Sequence, residues 1–188
     1  CVNLGCVPKK IMWYGAQIAE SIHKYGPDYG FTNTGNEFDY ATLRKNREAY
    51  IDRARSSYDG SFKRNGVDLI EGRAEFVDAH TVSVNGELLH AKHIVIATGA
   101  HPHIPAIPGA ELGGSSDDVF AWEELPESVA ILGAGYIAVE LAGVLHTLGV
   151  QTDLFVRRER PLRGFDSYIV ESLVQEMENT GLNLHTHK

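Results

Sequence analysis

A glycine-rich turn between a predicted strand and a predicted helix constrains the fold of this chain more than any other feature. The sequence GAGYIA at residues 133–138 matches the pattern G-x-G-x-x-A. An apolar strand at residues 129–132 comes directly before it, a helix at 136–148 begins inside it, and a second strand at 152–156 follows. Strands joined in this way lie parallel in one sheet. The segment therefore predicts an α/β fold of the dinucleotide-binding type.

Each small residue of this turn has a physical role in such a site. Gly133 permits the tight turn, and Gly135 lets the backbone approach a pyrophosphate closely. The first N–H groups of the helix and the helix dipole then favour the negative charge of the phosphates. Ala138 allows the helix to pack closely on the strand. The alternative is a glycine-rich turn that binds no ligand.

The end of the second strand indicates which dinucleotide would bind. Sites for NAD usually carry Asp or Glu at this point, because a carboxylate holds the ribose 2′-hydroxyl. This chain instead has Val156, followed by Arg157, Arg158 and Arg163. A guanidinium pairs with a 2′-phosphate, whereas a carboxylate would repel it, so the sequence favours NADPH. The alternative is that these arginines only face solvent.

The two cysteines of the chain, Cys1 and Cys6, are five positions apart. On a regular helix their Cα atoms would lie about 8.6 Å apart, beyond the roughly 7 Å limit of a disulfide. A bridge would require an irregular first turn, which Gly5 permits, followed by a helix with Pro8 in its first turn. A bridge across so short a loop adds little stability, so reversible redox chemistry is its more plausible use.

The cysteine spacing is also compatible with two unrelated buried thiols. A metal site is disfavoured because C-x4-C lacks a second ligand pair at a recognisable spacing. The closest histidine pairs, His101 with His103 and His185 with His187, have no carboxylate or cysteine at ligand spacing. These histidines predict loop or edge-strand positions, and no metal is expected.

Charge and composition argue against several classes of protein. The 188 residues include 17 basic and 25 acidic residues, and the formal charge of −8 argues against nonspecific nucleic-acid binding. The sequence has no run of 18 apolar residues that would predict a membrane span, and it shows no signal peptide. With so few cysteines, a cytoplasmic location is the default expectation. Because the chain starts at Cys1 rather than Met, it looks like an internal piece of a longer protein.

Three further helices are predicted, two between the cysteines and the glycine-rich turn and one after that turn. The first covers residues 8–24. A second begins after Asp39, a good N-cap, and ends at residues 65–66. Its apolar positions recur at three to four residue steps, apart from a polar gap near Arg47. The last helix is expected at residues 167–179.

Short strands are predicted between the second helix and the glycine-rich turn. Asn85-Gly86, between two apolar runs, is a strong signal for a hairpin. The run of apolar residues that leads into Ala97-Thr98-Gly99 predicts a buried strand. The expected strands are residues 67–71, 75–77, 81–84, 87–90 and 93–97.

The residues around the cysteines resemble a known family. The run CVNLGCVPKK, followed by Ile11-Met12-Trp13, is similar to the redox-active disulfide motif of the flavoprotein pyridine nucleotide-disulfide oxidoreductases. The paired lysines resemble the glutathione reductases most, because dihydrolipoamide dehydrogenases and mercuric reductases usually carry serine where this chain has Lys9. Trypanothione reductases share the lysines and are the runner-up. The resemblance continues along all 188 residues.

The resemblance implies a role for particular residues. Cys1 would attack the substrate disulfide, and Cys6 would lie against the flavin as a charge-transfer thiolate. Lys9 would lie beside the flavin ring, where a cation stabilises reduced flavin and thiolate. Glu140 would pair with Lys9 near the nicotinamide, and Tyr58 would line the glutathione disulfide pocket. The implied cofactor-binding residues are Cys1, Lys9, Ala74, Thr98, Gly99, Gly133, Ala134, Gly135, Tyr136, Ile137, Ala138, Glu140, Arg157 and Arg163.

The resemblance also implies an organisation into two partial domains. Residues 1–110 would belong to an FAD-binding domain that carries the redox disulfide, and residues 111–188 to the first half of a Rossmann-like NADPH-binding domain. The family's flavin-binding G-x-G-x-x-G and its acid/base histidine from the other subunit of a homodimer lie outside this sequence. We therefore expect a parent enzyme that reduces glutathione disulfide and a fragment that is inactive alone. A noncatalytic fragment that retains part of a nucleotide-binding fold is the alternative.

Overall fold

The computed structural model of the chain describes residues 1–32 and 38–188. They form two compact units, one of residues 1–52 with 104–188 and the other of residues 53–103, and each is described by itself. The helices and strands are α1 (Cys6–Glu20), α2 (Tyr40–Arg64), β1 (Ala74–Asp78), β2 (Thr81–Val84), β3 (Glu87–His90), β4 (Ser128–Leu132), α3 (Tyr136–Thr147), β5 (Gln151–Val156), α4 (Ser167–Thr180) and β6 (Asn183–Thr186). The predicted α/β class is confirmed.

A parallel sheet with the strand order β4-β5-β6 forms the centre of the first unit. Leu132 at the end of β4 lies opposite Phe155, and Val156 at the end of β5 lies opposite Thr186. Alternate β5 residues are buried, as a half-covered strand requires. The β-α-β unit predicted around the glycine-rich turn is therefore present, and α4 and β6 extend it by one further step.

Helix α3 is the most apolar helix of the unit and packs into its core. Ala142 and Leu145 are fully buried, because successive apolar residues on several faces of α3 meet the sheet on one side and α1 on the other. Helix α1 brings Met12 and Ala16 into the same core. This shared core holds α1 against α3, so residues that face each other across the two helices have fixed positions.

Helix α2 begins where its N-cap was predicted. The Asp39 carboxylate accepts a 3.0 Å hydrogen bond from the N–H of Ala41, which satisfies one of the free donors of the first turn. The predicted apolar stripe is wrong in one respect, because Tyr50 and Tyr58 are half exposed while Arg47 in the polar gap is buried. The helix ends at Arg64, followed by Gly66 with a φ of 64°.

The second unit contains an antiparallel sheet with the order β1-β2-β3. The hairpin between β2 and β3 is confirmed, and its turn residues Asn85 and Gly86 have φ values of 53° and 86°, as such a turn requires. Asn85 also donates a 2.8 Å hydrogen bond to the carbonyl of Glu71. The strand predicted at residues 75–77 is present and is one residue longer at each end.

Two predicted strands are wrong. Residues 67–71 and 93–97 carry no strand hydrogen bonding in the structure. Val95 and Ile96 are 86% and 72% exposed, so the expected burial is also wrong. β-Branched composition favours an extended backbone, but a strand forms only where a neighbour completes its hydrogen bonds, and within the described residues none does so here.

The boundaries of the other elements differ little from the predictions. Residues 6–20 form α1, and a turn of π-helix, Ser21–Tyr25, continues it close to the predicted end. The last helix ends at Thr180, one residue beyond the predicted end, and Gly181 follows it with a φ of 84°. Strand β6 was not predicted. Across the described ranges, 1–32 and 38–188, no helix combines the length and the apolarity needed to cross a membrane.

Candidate thiol and nucleotide site

The sulfur atoms of Cys1 and Cys6 lie 2.8 Å apart. Both cysteines are exposed and unbridged in the structure. A disulfide bond is about 2.05 Å long, so formation of the bond requires a displacement of under 1 Å. The two thiols are thus already close to the separation that a disulfide requires, and both residues are exposed.

An irregular loop before α1 makes this approach possible. Helix α1 begins at Cys6, and Cys1 lies outside it, in a turn closed by a 2.9 Å hydrogen bond from the N–H of Val7 to the carbonyl of Cys1. Gly5 has a φ of 94°, which a residue with a side chain rarely adopts. Pro8 lies in the first helical turn, as predicted. The loop therefore removes the separation that a regular helix would impose on the two cysteines.

Lys9, three residues after Cys6, forms an ion pair with Glu140 of α3. The side chain of Lys9 is 16% exposed and that of Glu140 is 46% exposed, so the cation is the more enclosed partner. The ammonium nitrogen also lies 5.9 Å from the ring centroid of Tyr136, one turn before Glu140 on the same helix. The predicted pairing of Lys9 with Glu140 is thus present in the geometry, together with Tyr136.

The glycine-rich turn connects β4 to α3. The N–H of Gly133 donates a 3.1 Å hydrogen bond to the carbonyl of Phe155, which fixes the turn to β5. A Cβ at position 133 would lie 3.1 Å from the Cβ of Ala138, so these two small residues let the turn and the helix approach closely. A Cβ at Gly135 would meet no atom within 4 Å.

Gly135 is the N-cap of α3, with an extended backbone and no side-chain cap. Its carbonyl already accepts the N–H of Val139 at 3.1 Å, as in a regular helix start. Tyr136, Ile137 and Ala138 follow as the first three helical residues, whose N–H groups a helix leaves free. Open space above a helix N-terminus with free donors fits a dinucleotide pyrophosphate.

The loop after β5 returns to the glycine-rich turn. The N–H of Leu162 donates a 2.7 Å hydrogen bond to the carbonyl of Ala134. Arg163 follows Leu162 in sequence, so this contact holds Arg163 close to the glycine-rich turn. Arg157 directly follows Val156, the buried last residue of β5. Arg157 and Arg163 are both exposed, so their guanidinium groups are available to a ligand. The structure therefore sets both arginines at the margins of the candidate nucleotide site.

Four of the predicted site residues belong to the second unit. Ala74 begins β1 opposite Val84, Tyr58 is half exposed on α2, and Thr98 and Gly99 lie in an exposed irregular segment. The φ of Gly99 is 76°. Their roles toward flavin and substrate stay predictions.

The structure also shows residues whose importance the sequence did not reveal. Arg47 is buried against α1, and its only signal in the sequence was the polar gap in an apolar stripe. The carboxylate of Asp153 and His185 are 2.7 Å apart across β5 and β6, and the His185 ring stacks on Phe155. This contact was not predicted because β6 was not. Of the residues that the structure describes, no three His, Cys, Asp or Glu form a group able to hold a metal ion.

A cavity of about 480 Å³ lies apart from these residues. It is situated between the start of α2 and the turn after α3, with Tyr40, Glu123 and Leu148 among its lining residues. None of the predicted site residues lines it. We therefore assign it no part in the proposed chemistry.

Comparison with known proteins gives a consistent result along the whole chain. Residues 1–188 match the family described as pyridine nucleotide-disulphide oxidoreductase. Glutathione reductase from Schizosaccharomyces pombe is 43% identical over 195 residues, which cover all of this chain and 42% of that protein. Glutathione reductase from Yarrowia lipolytica is 39% identical over 198 residues, which cover 98% of this chain and 42% of that protein. The chain thus spans about two fifths of the length of these curated relatives.

Solved structures show the same fold. The HOCl-induced flavoprotein disulfide reductase RclA from Escherichia coli superposes with a TM-score of 0.83, over all of this chain and 40% of that one. Its Cu(II) complex gives the same TM-score. Sequence identity is 24% in both cases, so this likeness concerns the fold alone.

Proposed function

Because this chain belongs to the pyridine nucleotide-disulphide oxidoreductase family, we propose that it is a segment of an NADPH-dependent glutathione-disulfide reductase. The supporting observation is that one helix connects the two parts of the site. Helix α3 begins at the glycine-rich turn, and Glu140, one turn further, pairs with Lys9, which lies three positions after Cys6 on α1. The identities of 43% and 39% to glutathione reductases support the choice of substrate class.

NADPH would bind with its pyrophosphate over Gly135 and the first N–H groups of α3. The free donors and the open space there match a negatively charged ligand. Arg157 and Arg163 would pair with the 2′-phosphate. Tyr136 and Ile137, both exposed in the first turn of α3, would contact the nicotinamide half.

FAD would lie beside Lys9 and Cys6, where an enclosed cation on the same helix as a thiol suits a group that becomes negatively charged when reduced. Ala74, Thr98 and Gly99 are the other residues that the family resemblance assigns to FAD. When bound, the flavin supplies the step that converts the hydride of NADPH into two electrons for the thiol pair. Glu140 would hold Lys9 in place through their ion pair.

The thiols of this chain would carry the last steps. The Cys1 thiolate attacks one sulfur of glutathione disulfide, the S–S bond breaks, and the first glutathione leaves as a thiolate that takes up a proton. The Cys6 thiolate then attacks the Cys1 sulfur. This re-forms the Cys1–Cys6 disulfide and releases the second glutathione. The 2.8 Å separation of the two sulfurs supports this second step, because it needs almost no movement.

The parent protein, meaning the longer protein of which this chain would be a segment, is proposed to be a cytoplasmic homodimer. Residues 1–110 would be its partial FAD-binding domain and residues 111–188 its partial NADPH-binding domain. Tyr58 would line the substrate pocket. We propose neither nucleic acid nor membrane as a partner. Trypanothione reductase is the second candidate, because the same lysine pair follows the cysteines in both groups.

The experiment is a steady-state assay of the purified parent protein. We expect NADPH oxidation that depends on glutathione disulfide, and a bound flavin visible as yellow colour. Trypanothione disulfide is the competing substrate, and a higher kcat/KM for it would overturn the choice of substrate. The Cys6→Ser variant should keep the flavin and lose disulfide reduction. An active Cys6→Ser variant, or a wild-type protein inactive with both disulfides, would contradict the proposed chemistry.

The thiol pair can be tested separately by mass spectrometry. Mild oxidation of the folded protein should lower the mass of the Cys1–Cys6 peptide by about two daltons, and reduction should restore it. Cys1→Ser protein is the matched control and should show no such change. If Cys1 and Cys6 stay unpaired in oxidised wild-type protein, the hypothesis of a redox-active disulfide is wrong. The isolated 188 residues are expected to show no turnover even with added FAD.

A further inference from the structure

Arg47 is a charged residue in the core of the first unit. It lies on α2 and is only 1% exposed, which makes it the largest fully buried side chain among the described residues. It lies seven positions after the buried Tyr40, so the two residues share one face of the helix. That face packs into the core around Met12 and Phe120.

The guanidinium group of Arg47 joins three segments that are distant in sequence. One terminal nitrogen, Nη2, donates a 2.7 Å hydrogen bond to the backbone carbonyl of Phe120. The other, Nη1, lies 3.4 Å from the hydroxyl of Tyr40 and 3.5 Å from the sulfur of Met12 on α1. Together these contacts connect α1, the start of α2 and the short helix Asp118–Ala121.

Burial of this charge is unfavourable and is only partly compensated. The nearest carboxylate oxygen, on the half-exposed Glu48, is 3.8 Å from Nη2. The Nε atom of Arg47 is buried, and no group in residues 1–32 and 38–188 accepts a hydrogen bond from it. An apolar side chain of similar volume often replaces such a group without loss of stability. The directional bonds of Arg47 therefore point to a role other than bulk stability.

Met12 transmits these contacts to the thiol site. It is fully buried and lies three positions after Lys9 on α1. Cys6, the first residue of the helix, lies about 9 Å from Met12 along the axis. A rotation or sliding of α1 that breaks the Met12 contact would also displace Lys9 from Glu140 and move Cys6.

We propose that Arg47 is a positioning residue that fixes the rotation and axial register of α1, and through α1 the placement of Cys6 and Lys9. The inference rests on the proposed function, because the consequence of this placement is the approach of Cys6 to a flavin. The contacts of Arg47 are with Met12, Tyr40, Phe120 and Glu48, and none of them is with a thiol. Its effect is therefore expected in the spectrum and in the coupling to Glu140, rather than in stability alone.

The test uses the parent holoenzyme with Arg47→Met and Arg47→Lys. After two-electron reduction, the Cys6 thiolate beside the flavin should give a long-wavelength charge-transfer absorbance in wild type. We expect Arg47→Met to keep its flavin but to lose most of this absorbance. Reduction by NADPH should slow by about tenfold, within the range of couplings between contacting residues. Arg47→Lys keeps the charge but has only one donor nitrogen. It should therefore retain only part of the charge-transfer absorbance and part of the rate of reduction by NADPH.

Two controls separate positioning from stability. Val170→Ala removes buried volume in α4, outside the core that contains Arg47, and should lower the melting temperature without changing the absorbance. Glu140→Gln combined with Arg47→Met should be little worse than Glu140→Gln alone, because both changes act on the placement of Lys9. If Arg47→Met does not fold, the absorbance and the rate of reduction are measured on Arg47→Lys instead.

A full charge-transfer absorbance in a folded Arg47 variant would overturn the inference, as would additive effects of the Arg47 and Glu140 changes. The absorbance measurement needs a reductant but no disulfide substrate. A wild-type parent that shows the absorbance and fails to reduce glutathione disulfide would contradict the proposed function alone. A wild-type parent without any such absorbance would overturn the inference as well.

Discussion

Lys9 and Glu140 form an ion pair although 131 positions separate them in the chain. The pair joins α1, which begins at Cys6, to α3, which begins at the glycine-rich turn. The helix that begins at Cys6 and the helix that follows the glycine-rich turn are therefore held together by a charge contact as well as by their shared core. In the proposed function, this arrangement would link nucleotide chemistry to thiol chemistry.

The first prediction concerns the strength of this contact. A double-mutant cycle with Lys9→Met and Glu140→Gln, measured by urea unfolding of the parent protein, should give a coupling of about 0.5–1 kcal/mol. The value is modest because Glu140 is nearly half exposed. Added salt should reduce it. Glu171→Gln, an exposed change on α4, is the control and should show no coupling to Lys9.

The second prediction compares the two glycines of the turn. Gly133→Ala places a Cβ 3.1 Å from that of Ala138, so it should destabilise the protein by roughly 1–3 kcal/mol. Gly135→Ala meets open space and an ordinary extended backbone, so stability should stay within about 1 kcal/mol of wild type. For nucleotide affinity the order should be reversed: Gly135→Ala should lose more affinity than Gly133→Ala, because the Cβ at position 135 occupies the space proposed for the pyrophosphate.

The measurements are thermal or urea unfolding without nucleotide and a titration with NADPH. Gly133→Ala should still bind NADPH once folded, although less tightly if the turn has shifted. Gly135→Ala should fold well and bind poorly. A Gly135→Ala protein with unchanged affinity for NADPH would show that the pyrophosphate does not approach this residue.

Local sequence patterns predicted most elements of the first unit correctly, but they were wrong about two strands of the second unit. The glycine-rich turn, its strands, the hairpin at Asn85-Gly86 and the Asp39 cap depend on residues close in sequence, and all are present. The segments at residues 67–71 and 93–97 were wrong because strand formation depends on a partner that the local sequence does not specify. Periodicity identified the helices, but it could not show which face of a helix would be buried.

In the candidate site, too, features that depend on residues close in sequence could be predicted, and contacts between distant segments could not. Cys1, Cys6 and the turn at residues 133–138 were identified from spacing alone, since their chemistry is local. The pairing of Lys9 with Glu140 came only from a family resemblance, because no periodicity connects positions 131 apart. Arg47 was missed as a core residue because hydropathy assigns a guanidinium to the surface. Its burial depends on acceptors supplied by other segments, such as the carbonyl of Phe120.

The third prediction concerns acid sensitivity in the second unit. Hydrogen bonds from the backbone N–H of His80 and from the hydroxyl of Thr81 hold the pKa of Asp78 below its ordinary value. The folded state therefore favours the ionised carboxylate. The stability that this provides is present above the unfolded pKa, near pH 4, and is lost as the pH falls through the lower folded pKa.

Thr81→Val removes the hydroxyl donor and should raise the pKa of Asp78 toward its ordinary value. Less stability should then be lost on acidification. The measurement is an NMR titration of the Asp78 carboxyl carbon. Asp118 is an internal control, because the backbone N–H and hydroxyl of Ser115 lower the pKa of its carboxyl in the other unit. An Asp78 titration that Thr81→Val leaves unchanged would contradict the assignment.

The fourth prediction concerns the choice of nucleotide in the parent enzyme. Val156 is buried at the end of β5, where an NAD site usually has an acid, and the exposed Arg157 and Arg163 follow it. Each charge-assisted hydrogen bond to a 2′-phosphate contributes about 1.5–3 kcal/mol, less where solvent screens it. Arg157→Met combined with Arg163→Leu should therefore raise the KM for NADPH by on the order of 10²-fold or more.

NADH has no 2′-phosphate, so its kinetics should change far less in the same double variant. The measurement is kcat/KM for both nucleotides in the wild type and the double variant. Arg64→Met, at the exposed end of α2, is a matched loss of positive charge and should leave the ratio of NADPH to NADH unchanged. Equal losses for NADPH and NADH would mean that Arg157 and Arg163 support folding or general charge. Their assignment to the 2′-phosphate would then be wrong.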